Sequence, residues 1–333
     1  MKRTWAIFIL IIILLFAFIL DLSSGSLNFS ISHVLEVLFN KSSNTDDFFI
    51  ISELRLPRVF TAILVGIALP ISGLLLQTLF KNPLAGPYIF GISSGASLGV
   101  AVLLLGLSFL GFTALPGSFS IAIAGILGAG LILLLILLIS IKINDSLTIL
   151  IIGVMLGSGI GALVNLMQYF SAAPMLKKFV IWTMGSLDAV QNEQLWYFAL
   201  MILIPSLVAV ILSKFFDSLY LGDENAQTLG VNVKLLRLSI FVITGLMTGI
   251  ATAFCGPIGF IGIAIPHLAR IIFKTSKHLH LVIFSALIGA IIMLLSDALS
   301  HSFESQIIPI NSITAILGIP IIIWVIFRNK KFN

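Results

Sequence analysis

Few side chains in this sequence could do chemistry, and Asp297 stands out because it lies well inside an apolar run. A carboxylate is costly to bury in a membrane, so such a residue is a candidate for proton or ion coupling. Asp297 falls near the end of its predicted span, where a hydrogen bond between packed helices explains it equally well. An enzyme acting within the membrane would need paired catalytic groups at that depth, and the apolar runs contain no such pair.

Motifs for nucleotide, zinc and acyl-transfer chemistry are absent from the sequence. It has no G-x-x-x-x-G-K-[ST] phosphate loop, no H-E-x-x-H and no G-x-S-x-G. The single cysteine, Cys255, excludes a disulfide framework and a cysteine-based metal site. We therefore predict a protein that is not an enzyme and that holds no metal or cofactor.

The composition places the chain in a membrane. Of its 333 residues, 59% are hydrophobic and 9% are charged, and the mean hydropathy is +1.20. Soluble domains contain about 25% charged residues, and no water-soluble fold buries so much apolar surface. We predict an all-α polytopic protein that forms one transmembrane domain over 1–333, surrounded by membrane lipid. The net charge of +5 does not indicate a nucleic-acid partner, because the positions of the charges matter more than their sum.

Ten apolar stretches are predicted to be membrane-spanning helices, since a helix needs about 20 apolar residues to cross the bilayer. The first, MKRTWAIFILIIILLFAFIL, resembles a signal peptide, but it is too long for one and no cleavage site follows. It is interpreted as a retained span. The predicted spans are 4–20, 57–79, 88–110, 119–141, 146–170, 194–212, 235–254, 257–272, 279–300 and 309–327.

The basic residues predict that both termini are cytoplasmic. With ten spans and the N-terminus inside, most of the 18 basic residues fall on the cytoplasmic side, as the positive-inside rule requires. The eighth span is short, but omitting it would place the basic C-terminal sequence RNKK outside. The basic residues left on the outer side are Lys41, Arg55, Arg58, Lys177 and Lys178.

Two interruptions rich in proline and glycine predict that the chain consists of two inverted halves. KNPLAGP at 81–87 joins the second span to the third, and CGPIGFIG at 255–262 joins the seventh to the eighth. Five spans separate them, so the halves have opposite orientations, as in many transporters. Surface helices are predicted within 22–56 and 171–193, and two short helices with a glycine joint within 213–234.

Three stretches together resemble one transport family. They are LRLPRVFTAILVGIALPISGLLLQTLFKNPLAGPYIFGISSGASLG at 54–99, LGDENAQTLGVNV at 221–233 and GPIGFIGIAIPHLAR at 256–270. The combination of RLPR, Q-x-x-x-x-NPLA-x-P and GFIG-x-x-x-PH-x-AR resembles the permease subunits of type II ABC importers, which serve iron–siderophore, haem and cobalamin uptake. The resemblance covers nearly the whole chain.

This resemblance implies a function and a set of partners. The implied partners are a second permease subunit, in a homodimer or heterodimer, two ATPase subunits on the inside, and a periplasmic or lipid-anchored binding protein outside. We therefore predict the permease of a bacterial inner-membrane importer for an iron–siderophore complex, with haem or cobalamin as alternatives. The rival class is an ion-coupled secondary transporter, for which Asp297 is the one candidate coupling residue.

The family's cytoplasmic gate and coupling helices match particular positions of this sequence. Asn82 and Leu84 match one gate where the second span turns into the third, and the alternative is a plain tight turn. Ser146 and Leu147 match the other gate at the start of the fifth span. The segment around 217–230 resembles the coupling helices that dock in a groove of the ATPase, and the alternative is a solvated loop. The coupling positions are Leu221, Gly222, Ala226, Leu229 and Gly230.

The family's docking surface for the binding protein is matched in part. By resemblance, Arg55 and Arg58 accept glutamates of the binding protein, since a planar guanidinium holds a carboxylate through two hydrogen bonds. The alternative is that both arginines anchor a helix end at the lipid headgroups. A third arginine of the family is His301 here, and the family's ELP-x-G reads IIPIN at 307–311. His301 either replaces that arginine or simply caps the ninth span.

Overall fold

The computed structural model describes residues 3–329 except 26, 28, 41–44, 107–115, 144, 221 and 304–305. This part of the chain is helical and contains no strand. The principal helices are α1 Arg3–Ser23, α2 Leu56–Leu79, α3 Ile92–Ala101, α4 Ser118–Lys142, α5 Ser146–Tyr169, α6 Asn192–Tyr220, α7 Val233–Cys255, α8 Ile261–Phe273, α9 His278–Ser300 and α10 Ile310–Asn329.

The helices agree with a polytopic membrane protein. Among the described residues, seven helices are long and apolar enough to cross a membrane. Three further apolar stretches are shorter, at Ile92–Gly106, Ile261–Phe273 and Ile310–Trp324. Each of the predicted spans overlaps one of these helices, so the all-helical membrane class is confirmed. The count of ten crossings and the cytoplasmic termini stay predictions, because length and composition do not establish which helices cross.

Short helices connect the principal ones. They are Ile31–Asn40, Thr45–Phe49, Ala173–Thr183 and Asp223–Thr228, and a π-helical turn over Ile50–Arg55 leads into α2. The first and third lie where surface helices are predicted.

One prediction about the connections is wrong. Among the described residues of the segment 213–234, one short helix, Asp223–Thr228, is present, because α6 continues to Tyr220 instead of ending at 212. The extension follows from packing, since Phe216 and Leu219 are 0% and 2% exposed. A helix is extended for as long as its buried residues pack against apolar neighbours.

Close helix packing is made possible by small residues. A Cβ atom at Gly66 of α2 would lie 2.5 Å from the carbonyl oxygen of Gly289 in α9. A Cβ atom at Gly125 of α4 would lie 2.8 Å from the Cβ of Ala253 in α7. Small residues let helices in lipid approach until their backbones touch. As a result α2 packs on α9, and α7 packs on α4.

The two predicted interruptions contact each other. The hydroxyl of Tyr88, the residue after KNPLAGP, donates to the carbonyl oxygen of Ile258. The N–H of Ile258 donates to the same hydroxyl oxygen at 2.5 Å. A Cβ atom at Gly262 would lie 2.8 Å from Cδ of Pro87. Non-helical backbone leaves polar groups without intrahelical partners, and here part of that need is met by the other interruption.

The predicted topology divides the connections between helices into two groups, which contain the candidate sites. The inner end is the set of connections at 80–91, 143–145, 221–232 and 274–277, which is predicted to be cytoplasmic. The outer end is the set at 24–55, 184–191 and 301–309, which is predicted to face away from the cytoplasm.

Candidate functional site

The loop 80–87 at the inner end is shaped by Asn82. Its Oδ1 accepts the N–H of Leu84 at 2.9 Å, and the preceding Lys81 has a φ of +47°. An asparagine side chain that bonds the backbone two residues on is a stable turn former. This turn leaves Leu84 42% exposed. Both the gate interpretation and the tight-turn interpretation are compatible with this geometry.

The same loop is held by α8. His267 Nε2 lies 2.7 Å from the carbonyl oxygen of Pro83. Arg270, three residues on, donates to Oε1 of Gln77 at 2.8 Å, and Gln77 Nε2 donates to the Ile263 carbonyl at 3.2 Å. The spacing in PH-x-AR puts His267 and Arg270 on one helix face. We missed this clamp in the sequence, although that spacing could have indicated it.

The second pair of predicted gate residues opens α5. Asp145 is its N-cap and accepts the N–H groups of Leu147 and Thr148 at 3.4 and 2.9 Å. The Thr148 hydroxyl and these backbone donors lower the pKa of the Asp145 carboxyl. Ser146 is half-buried, and Leu147 is 63% exposed at the inner end. Each predicted gate pair therefore offers an exposed leucine, and their position at one end of the bundle stays a prediction.

The predicted coupling segment is a short helix between two glycines. Gly222 and Gly230 have φ values of +109° and +79°, which favour glycine because a Cβ is strained there. Ala226 is fully buried, and Leu229 is 65% exposed. Leu221 lies outside the described residues.

An ion pair attaches this short helix to the start of α7. Asp223, its first residue, pairs with Arg237 of α7. The segment is therefore attached to the bundle and presents Leu229 outward. Its docking role stays a prediction.

Arg58 lies at the centre of a buried cluster at the outer end. Its Nε is 2.8 Å from Oδ2 of Asp297, and its terminal nitrogens are 3.7 Å from Asp21 and 4.0 Å from Asp188. The side chain of Arg58 is 6% exposed and that of Asp21 is 0% exposed. The intramembrane acid Asp297 is therefore paired, and helix ends from α1, α2 and α9 meet at one guanidinium.

Arg55 interacts with its own chain as well. It donates to the carbonyl oxygens of Leu22 at 2.8 Å and of Leu27 at 2.5 Å, and its guanidinium lies 4.7 Å from the centre of the Phe29 ring. Only 4% of Arg55 is exposed. Arg58 donates to the carbonyl oxygen of Ser24 at 3.3 Å, so both predicted docking arginines hold the segment after α1 in place. Their contact with a binding protein stays a prediction.

His301 joins the same cluster. Its Nε2 is 3.3 Å from Oδ2 of Asp188, and its Nδ1 is 3.5 Å from Oδ1 of Asp297. Burial alone would lower the pKa of His301, but the hydrogen bond to Asp188 and the charge of Asp297 outweigh it and raise this pKa. Burial would raise the pKa of Asp188, but the hydrogen bond and charge of His301 lower it overall. The structure therefore brings Arg58 and His301 together.

Two acids of this cluster were missed in the sequence. Asp21 follows directly on the first apolar run, and the predicted span stopped one residue before it. The helix continues to Ser23, so Asp21 is inside and fully buried. The sequence signal that could have identified Asp21 was an acidic residue at the end of an apolar run. Asp188 lies in the connection 184–191, where nothing in the sequence distinguished it.

Comparison with known proteins agrees with this geometry. Residues 13–328 match the model of the FecCD transport family. The chain is 34% identical over 320 residues to the haemin transport permease HmuU of Yersinia pestis, covering 96% of this chain and 95% of HmuU. It is 32% identical over 332 residues to the molybdate import permease MolB of Haemophilus influenzae, covering 98% and 96%. The vitamin B12 import permease BtuC of Salmonella typhi is 34% identical over 281 residues, covering 84% of each chain.

A solved structure supports the same fold. It is described as an inward-facing ABC transporter of metal-chelate type, and it aligns with a TM-score of 0.86 and 30% identity over 98% of this chain and 99% of its own. The chain therefore belongs to the FecCD transport family.

Proposed function

We propose that this permease carries an iron–siderophore complex into the cell, driven by ATP hydrolysis in separate subunits. The observation that carries the proposal is the family match along 13–328 together with the likeness to an ABC transporter of metal-chelate type. As a multi-pass bacterial inner-membrane protein of this family, the chain supplies the path and its partners supply the energy. Haem and cobalamin are the alternative cargoes, because HmuU and BtuC are comparably similar.

The proposed topology is ten spans in two inverted halves with both termini in the cytoplasm. The packing supports it. The counterpart of α2, five spans on, is α7, and the counterpart of α9, five spans back, is α4. The contacting pair α2–α9 therefore corresponds to the pair α7–α4, which is also in contact. Both pairs approach through small residues. Related packing in the two halves is expected of a repeat.

The proposed partners attach at opposite ends. The two ATPase subunits bind at the inner end, where the short helix Asp223–Thr228 of each permease subunit is the docking element. Leu229 is the exposed apolar side chain that anchors this contact. A second permease subunit completes the path. A periplasmic or lipid-anchored binding protein delivers the cargo at the outer end.

The proposed gate consists of the exposed leucines at the inner end. Leu84 and Leu147 narrow the path. Asn82 holds the turn that positions Leu84, and Asp145 caps the helix start at which Ser146 and Leu147 lie. ATP binding elsewhere biases two states of this gate, and the permease needs no chemistry of its own.

The docking role of Arg55, Arg58 and His301 takes a specific form in this geometry. All three are engaged within the chain, so a glutamate of the binding protein would have to displace Asp188 or a backbone carbonyl. Asp188 is the most accessible of the competing carboxylates, with 44% of its side chain exposed. Docking is therefore proposed as an exchange of carboxylates around Arg58 and His301.

One observation favours a second candidate function, an ion-coupled transporter. Asp21 and Asp297 are both buried carboxylates next to a single arginine, and such groups can carry protons through a membrane protein. The family match makes the ATP-driven importer the better supported function.

Reconstitution distinguishes these functions. Vesicles containing the permease, its ATPase subunits and its binding protein are supplied with a ferric siderophore, haemin or cobalamin. The importer requires ATP inside the vesicles and all partners for uptake. The ion-coupled alternative requires only the permease and a proton gradient. Uptake of haemin or cobalamin but not of any ferric siderophore would refute the cargo alone.

A further inference from the structure

His278 is a buried histidine between two helices, and neither the gate nor the docking helix contains it. It is the first residue of α9 and is 1% exposed. Its Nδ1 lies 2.7 Å from Oδ1 of Asp217 in α6. Its Nε2 lies 2.8 Å from the hydroxyl of Thr78 in α2. One side chain therefore bonds two helices that are distant in sequence.

The hydrogen bonds around His278 leave little freedom. A carboxylate oxygen only accepts, so Nδ1 donates to Asp217. The same oxygen accepts the backbone N–H of His278 at 2.8 Å, which caps the start of α9. The Thr78 hydroxyl is also 2.9 Å from the Leu74 carbonyl. Separation of His278 from either partner would leave a ring nitrogen of this buried side chain unpaired, which is costly, although Asp217 itself is 41% exposed. His278 is therefore expected to move with Asp217 and Thr78.

The two bonded helices lead to two separate parts of the transport machinery at the inner end. Asp217 lies in the last turn of α6, directly before the short helix Asp223–Thr228. Thr78 lies in the last turn of α2, directly before the loop 80–87. Phe216 and Tyr220 of α6 place their rings 6.2 and 6.5 Å from the His278 ring and support it from the side.

We propose that Thr78, His278 and Asp217 form a linkage that transmits movement of the docking helix Asp223–Thr228 to the gate loop 80–87. The inference rests on the proposed function, because it takes that helix as the ATPase contact and that loop as a gate. Both α6 and α2 continue as helices to within a few residues of their sites. Movement of the docking helix therefore reaches His278 through α6, and His278 moves the end of α2.

The test reads the state of the gate loop directly. The complex of the permease with its ATPase subunits is reconstituted in lipid nanodiscs, with Cys255→Ala to remove the buried native thiol and Lys81→Cys, an exposed position of the same loop, as reporter. The probe is the rate at which N-ethylmaleimide modifies Cys at position 81, with and without ADP–vanadate. With an intact linkage we expect the two rates to differ by about 5-fold or more, as in typical coupling between sites.

Two substitutions each keep one half of the linkage. His278→Asn retains a donor at the position of Nδ1, and His278→Gln retains a group at the position of Nε2. In both we expect the rates with and without nucleotide to agree within about 2-fold, because the remaining single bond transmits no movement. Thr78→Val should behave alike.

Two control variants test for a merely structural role. Thr61→Val is the matched control, because Thr61 lies in the same helix, is buried and bonds only the carbonyl four residues back. It should keep the full difference between the rates. Asp217→Asn keeps the acceptor oxygen and should also keep the difference, whereas Asp217→Ala should abolish it.

The outcomes separate the inference from the function on which it rests. If the reporter in the intact linkage shows no response to nucleotide, the gate assignment fails and the linkage fails with it. If the response is present and survives in His278→Asn, His278→Gln and Asp217→Ala, the linkage alone is wrong. If one of these variants unfolds, the nucleotide response of Thr78→Val is compared with that of Thr61→Val. A response lost in Thr78→Val alone supports the linkage, and a response kept in both variants refutes it.

Discussion

Nε of Arg58 lies 2.8 Å from Oδ2 of Asp297, and the two side chains are 6% and 2% exposed. The pair connects the start of α2 to the end of α9, and Asp21 of α1 is 3.7 Å from the same guanidinium. A buried ion pair is a weak source of stability as a whole, but removing one partner is costly because the other charge is left unpaired.

Arg58→Ala is therefore expected to destabilise the protein by about 3–5 kcal/mol. Asp21 and Asp297 would lose their common cation while remaining buried. Thermal unfolding in detergent measures the effect, with Lys177→Ala, an exposed residue of the short helix Ala173–Thr183, as the control. Unchanged stability in Arg58→Ala, with weaker binding of the binding protein, would instead favour a pure docking role.

The Asp188–His301 pair is expected to make stability depend on pH. The folded state raises the pKa of His301, so its contribution is complete below the usual histidine value and is lost as the pH rises through the raised value. The folded state lowers the pKa of Asp188, so its contribution is present above the usual aspartate value and is lost as the pH falls through the lowered value. The pair is therefore strongest in mildly acidic solution.

We expect the protein to be more stable at pH 6 than at pH 8 through this pair, by less than about 1 kcal/mol, because Asp188 is partly exposed and solvent screens the charge. Unfolding temperatures at the two pH values measure the difference. His301→Gln should remove it. A difference that is the same in His301→Gln would have to be assigned to another group.

The topology predicts the side from which new cysteines react. In a Cys255→Ala background, cysteine at Asn192 should react with an impermeant maleimide added outside intact cells. Cysteine at Ser276 should react only after the membrane is opened. Both positions are exposed at helix ends, so burial does not decide the result. Reaction of Ser276→Cys in intact cells would contradict the ten-span orientation.

The gate assignment predicts a leak. Leu84→Ala and Leu147→Ala remove exposed apolar side chains at the inner end, so efflux of a ferric siderophore from loaded vesicles without ATP should increase. Asn82→Ala should have the same effect more weakly, since the hydrogen bond to the Leu84 N–H is lost. Leu127→Ala, an exposed leucine in the middle of α4, is the control. Leak that is unchanged in all three variants would leave loop 80–87 as a plain turn.

Gly230→Ala should weaken coupling between ATP hydrolysis and uptake. Gly230 has a φ of +79°, and a Cβ there would meet nothing within 4 Å. The substitution therefore costs only backbone strain, about 1–2 kcal/mol, and this strain acts on the docking segment. Gly130→Ala, in a helix and equally free of neighbours, should leave the number of ATP molecules consumed per cargo unchanged. Equal coupling in the two variants would count against the docking role.

The helices could be predicted from the sequence because apolar length and turn residues are local properties. The prolines and glycines at 81–87 and 255–262 marked the interruptions correctly for the same reason. The end of α6 was misplaced by eight residues, since the burial of Phe216 depends on helices elsewhere in the chain.

The side-chain clusters could not be predicted in the same way. Asp188 reaches Arg58 and His301 only after three distant segments have packed. Thr78 and Asp217 share His278 although neither lies near it in sequence. Resemblance to a family named the candidate arginines, but it gave no information about which carboxylates of the chain itself face them.

The contact between Tyr88 and Ile258 has a consequence for biogenesis. The two residues are 170 positions apart, so the ribosome has completed most of the chain before the first interruption obtains its partner. Until then the Tyr88 hydroxyl lacks Ile258 and the Pro83 carbonyl lacks His267, so both groups depend on water, lipid headgroups or chaperones for hydrogen bonds. The N-terminal half expressed alone should consequently be inserted and then degraded, whereas co-expression with the C-terminal half should rescue it.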